Sequence, residues 1–129
     1  MNFLKLTVIL SSIILLSCQQ NKLPAQPEIL TAEYEILNQT ESERGYKIFL
    51  EFKMNKDIDI EAIVLRNKLF PFKEKGIESD CCYLIDHYFP VHSQIIQNFE
   101  SPKTDKRPDG IIFETNGKVY FYEIEFKLK

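Results

Sequence analysis

Apolar and polar residues alternate with a period of two along most of the chain, the spacing of strands that bury one face. Leu30, Ala32, Tyr34 and Ile36 alternate with Thr31, Glu33 and Glu35, which predicts a first strand ending near Asn38. A polar turn from Glu41 to Gly45 follows. Then Tyr46, Ile48, Leu50, Phe52 and Met54 share one face, and Lys47, Phe49, Glu51 and Lys53 the other. Asn55-Lys56-Asp57 turns the chain, and residues 58–70 continue as one long strand or two broken ones that stop at Pro71. Residues 83–89 alternate as a further strand, whereas Pro90 with Val91, Ile95 and Phe99 also fits the start of a short helix. From Glu100 to Gly110 the chain reads as a loop.

The firmest local geometry lies at the C-terminal end. Asn116-Gly117 between two apolar runs predicts a two-residue hairpin turn, because both central positions of that turn need positive φ. Such a turn fixes the register. Thr115 then faces Lys118, Phe113 faces Tyr120 and Ile111 faces Tyr122, on a side that Ile124, Phe126 and Leu128 extend. The same register places Ile112 opposite Phe121 on the outer face. Six to seven strands joined by short turns predict an all-β domain, an antiparallel sandwich of the immunoglobulin-like kind. The chain has no tryptophan and only three cysteines, so the inter-sheet cysteine pair packed on a tryptophan is not expected.

Before the first strand the pattern changes. Lys5 is followed by an apolar stretch from Leu6 to Leu16, the charged-then-apolar order of a secretory signal helix. The run is too short for the roughly 20 residues that span a bilayer. It closes on Leu15-Leu16-Ser17-Cys18, which resembles a bacterial lipobox. That resemblance implies removal of residues 1–17 and acylation of the Cys18 sulfur, hence a protein anchored to a membrane of the cell envelope. Gln19 in place of an aspartate points to the outer membrane, with the domain facing the periplasm. Residues 18–27, holding Pro24 and Pro27, read as a tether, and residues 28–129 as one domain.

Removing residues 1–17 takes away one basic residue, Lys5. This leaves one fewer than the 16 Lys plus Arg of the whole chain against 19 Asp plus Glu, a net charge of −4. No basic patch for nucleic acid results. The expected contacts are the membrane, through Cys18, and a protein partner in the envelope.

Candidate chemistry is sparse. Cys81-Cys82 admits three readings: two thiols on opposite faces of a strand, one in the core; a vicinal disulfide; or, with His87 and His92, a zinc or copper site. The only two histidines fall within eleven residues of Cys81. His87 is expected on the face of Tyr83, Ile85 and Phe89. Asp86 and His87, as strand neighbours, point to opposite faces and do not form a catalytic pair. No nucleophile sits at a defined spacing from a base, and no glycine-rich phosphate loop is present among four glycines. Neither an enzyme nor a bound cofactor is expected. Phe49, out of phase with its core neighbours, and the outer pair Ile112 and Phe121 need a cover, supplied by a loop of the same chain or by a partner.

The lipobox Leu15 to Cys18, the strand opening Gly45-Tyr46-Lys47-Ile48-Phe49-Leu50 and the closing Tyr120-Phe121-Tyr122-Glu123-Ile124 together resemble a group of small lipoproteins of Bacteroidota, especially flavobacteria, without an assigned activity. The resemblance implies the envelope address and the β fold, and no mechanism.

Overall fold

The computed structural model describes residues 26–73, 77–78 and 82–129. The expected signal segment, Cys18, the expected tether up to Ala25, and Cys81 lie outside the described residues. Among the described residues ten strands form in chain order: β1 (Glu28–Thr40), β2 (Glu43–Lys53), β3 (Asp59–Leu65), β4 (Lys68–Pro71), β5 (Ile77–Glu78), β6 (Tyr83–Ser93), β7 (Lys103–Thr104), β8 (Gly110–Thr115), β9 (Lys118–Glu123) and β10 (Lys127–Leu128). They make two five-stranded sheets, β10-β1-β2-β6-β5 and β7-β4-β3-β8-β9. The expected sandwich is therefore formed. Its seven strands of four residues or more lie in the segments that the sequence marks as strands, whereas the three two-residue strands are too short to show a period. One pair departs from the antiparallel rule, since β10 runs parallel to β1.

The core lies where the out-of-water faces of β2 and β8 meet. Ile48, Leu50 and Phe52 are fully buried, as are Ile63, Leu65 and Phe113 on the other sheet. Each such side chain contributes about 1.5–3 kcal/mol relative to exposure. In β1 only Ala32 of the predicted face is buried, and Leu30 and Ile36 are exposed. A register shift between Ile29 and Thr31 takes Leu30 out of the alternation, so that Ile29 packs on the core instead. Ile36 pairs with Tyr46 beyond the deepest part of the core.

The Asn116-Gly117 turn has the predicted positive φ values, 53° and 74°, and the predicted register, with Thr115↔Lys118, Phe113↔Tyr120, Ile112↔Phe121 and Ile111↔Tyr122. The strand does not run on to Leu128, however. It stops at Glu123, and the Ile124 N–H donates to the Asp109 carbonyl (2.9 Å). Ile124 and Phe126 then fill the gap between the sheets while the chain crosses to β1, which leaves Leu128 exposed. A crossing segment that keeps every second residue inward imitates a strand in sequence.

Residues 58–70 break into two strands at Arg66-Asn67, whose φ values of 50° and 61° make a second two-residue turn. Tertiary hydrogen bonds hold it: the Arg66 N–H donates to Asp109 Oδ1 and the Asp105 N–H to the Asn67 carbonyl, each at 2.9 Å. The short helix considered after Pro90 does not form. β6 continues through Pro90, which sits at a register shift where Gly45 pairs Pro90 and Arg44 pairs His92. Among the described residues β5 pairs only with Tyr83 and Leu84, so on that side Pro90 faces no ladder partner that its missing N–H would deprive of a bond.

These pairings give the sandwich two poles. The start of β1, the end of β2 and the start of β6 share one, here the N-terminal pole, with the Asn116-Gly117 turn. The β1–β2 turn, the end of β6 and the Arg66-Asn67 turn share the far pole.

Candidate functional site

The cysteine and histidine positions are spread along β6. Cys82 is buried and disulfide-bonded, and its partner sulfur lies outside the described residues. His87 is exposed on the predicted face, its ring 4.7 Å from that of Phe89 and 5.3 Å from that of Phe72. His92 is half-buried opposite Arg44. Five residues of extended chain span roughly 16 Å, so Cys82, His87 and His92 are not brought together. Among the described residues no group of three His, Cys, Asp or Glu side chains is placed to hold a metal ion.

The outer pair of the C-terminal hairpin has its cover within the chain. Ile112 is 8% exposed and clusters with Ala62 and Val64, and Leu69 and Phe121 pack against them. Ile112 is thus covered by its own chain, one of the two covers that the sequence reading allows. The Arg107 guanidinium lies over the Phe121 ring at 5.3 Å. Asp105 fixes it there through bonds from Arg107 N (2.9 Å), Nε (3.0 Å) and Nη2 (2.7 Å). Those bonds pull the Asp105 carboxyl down to about 2. A lowered carboxylate contributes while ionised, so this clasp persists until the pH falls towards that value.

Phe49 is half-buried on the outer face of the first sheet, with Glu33 and Asp86 directly opposite on the flanking strands. An open groove of about 340 Å³ runs over it, lined also by Glu35, Lys47 and Lys129. Lys47 Nζ approaches Asp86 Oδ1 to 3.9 Å, an exposed pair that contributes little in water.

At the far pole the strands of the first sheet overshoot the second. The inner face, apolar through Tyr46, continues as Arg44 opposite His92, and directly paired residues have Cβ atoms about 5 Å apart. With Asn38, Thr40 and Glu41 they line an open recess of about 600 Å³. Further inward, the Arg66 guanidinium lies over the Tyr46 ring at 5.8 Å. Beside it, Ile95 and Ile96 are 62% and 45% exposed. Their turn is rigidly held: Ser93 Oγ accepts from the Ile95 N–H (3.2 Å) and the Ile96 N–H (3.0 Å), and the Gln94 N–H donates to the Ser42 carbonyl (2.8 Å).

Comparison with protein-family models, curated proteins and solved structures finds no match.

Of the far-pole residues, the sequence marks His92 alone, as one candidate ligand in one of three readings of the Cys81 to His92 region. Arg44 carried a readable signal, since it continues the even-numbered core phase of Tyr46, Ile48 and Leu50 as a charge. Ile95 and Ile96 did not, because two adjacent apolar residues in a short turn have no period.

Proposed function

We propose that this protein is a lipid-anchored module of the bacterial cell envelope, tethered through Cys18, that binds a partner at its far pole and performs no catalysis. One observation carries the reading. Two isoleucines are held in water on a clamped turn, at the pole opposite the strand that follows the tether. Exposed apolar side chains on a rigid support favour association, since burying them removes apolar surface from water without ordering a mobile loop. The disulfide at Cys82 supports the exported address, because such bonds persist in oxidising compartments. It also favours a second reading, a redox-responsive envelope protein in which Cys82 is the switch.

A photo-crosslinking amino acid in place of Ile95, compared with one in place of Asn116 at the opposite pole, tests the proposal in intact cells. A discrete adduct from position 95 and none from 116 is expected. Adducts from 116 only, or from neither, would overturn it.

A further inference from the structure

We infer that the recess at the far pole is a binding site for a phosphate group carried by the ligand. The inference names a ligand chemistry for that pole and takes from the proposed function only its location. Arg44 and His92 stand side by side on β2 and β6, and Asn38 and Thr40 of β1 line the same recess. Together they are a set of hydrogen-bond donors. Among the described residues, the side chains of Arg44, His92 and Asn38 have no hydrogen-bond or ion-pair partner, while the two ion pairs that do form, Lys47 with Asp86 and Arg107 with Asp105, lie elsewhere. Thr40 Oγ1 accepts from the Ser42 N–H (3.2 Å), which leaves its own hydrogen free to donate.

The choice of phosphate follows from the donors. A guanidinium presents a planar fork matched to two oxygens of one anion, and charge-assisted bonds of this kind are about twice as strong as neutral ones. The imidazole N–H, the amide and the hydroxyl supply donors for the remaining oxygens, more than a single carboxylate uses. Glu41 also lines the recess and opposes any diffuse attraction of anions, so binding depends on the directed donors of Arg44 and its neighbours. The recess is open, as a phosphate at the end of a larger molecule requires.

Equilibrium dialysis of the full-length protein in a non-ionic detergent against labelled inorganic phosphate tests the inference. Saturable binding at one site per chain is expected. Arg44→Gln should weaken it at least tenfold and His92→Gln several-fold, while Lys127→Gln, which removes an equal charge from exposed β10, should leave it unchanged. Arg44→Lys keeps the charge and removes the fork, so it should fall between the wild type and Arg44→Gln. This variant decides the matter if Arg44→Gln fails to fold. No saturable binding, or equal weakening by Lys127→Gln, would overturn the site. Absent phosphate binding with an intact position-95 adduct removes the phosphate alone, whereas a lost adduct with phosphate still bound removes the partner reading alone.

Discussion

Phe113→Ala is expected to destabilise the domain by about 3–5 kcal/mol, the range for truncating a buried phenylalanine. Phe113 is fully buried in the middle of β8, paired with Ile60 of β3 and Tyr120 of β9, whose ring centroid lies 5.8 Å away. Its removal leaves a void that touches three strands of one sheet and the facing side chains of the other. Strands pinned by tight registers cannot close over such a void, which places the loss in the upper part of the range. A domain of this size holds about 5–15 kcal/mol in total, so the variant should unfold at markedly lower denaturant. Val119→Ala, at a site 63% exposed on the neighbouring strand, should change the midpoint little. Equal midpoints for the two variants would mean that the faces of the hairpin are reversed.

Gly45→Ala should cost about 1–3 kcal/mol, as overpacking does, although alanine is normally the better residue in a strand. A Cβ at position 45 would lie 2.3 Å from the Phe89 carbonyl oxygen and 2.8 Å from the Tyr88 ring. The ring can rotate away. The carbonyl belongs to the backbone of β6 at the register shift around Pro90 and cannot. Tyr88 covers the glycine diagonally across the strands, and its hydroxyl is buried beside the Glu43 carboxylate. That burial, with the nearby Glu43 carboxylate, raises its pKa. Adding Tyr88→Ala to Gly45→Ala should therefore fail to restore the wild-type stability. Thermal unfolding of both variants checks this, and a Gly45→Ala protein as stable as the wild type would contradict the close approach of β2 and β6.

Phe121 lies over Gly110 in the same way, 2.7 Å from the position of a Cβ there. Neither contact was legible in the sequence, although the strands that make them were. Alternation assigned faces to β2, β6, β8 and β9 because each has one side against the core. The Asn116-Gly117 turn added a register, since a two-residue loop leaves no slack. Where pairing partners are far apart in the chain no such constraint operates. The register of β2 on β6 joins residues about forty positions apart, and with it the meeting of Arg44 and His92 stays hidden. The Arg66-Asn67 turn lacks the usual glycine and is held by Asp105 and Asp109 from a distant loop. The same loop sends Arg107 over Phe121, so the cover of the outer pair came from a stretch that reads only as polar and proline-rich. The sandwich could thus be read from local periodicity, and the far-pole site could not, because it is made by tertiary pairing.

We propose that this domain is attached to a membrane through Cys18. Metabolic labelling with a palmitate analogue, followed by fractionation of the envelope, tests that attachment directly. The wild-type protein should carry the label, migrate as the shortened mature chain and sediment with membranes, while Cys18→Ser should be unlabelled and remain as the precursor. A labelled, shortened product from Cys18→Ser, or an unlabelled wild type, would contradict it.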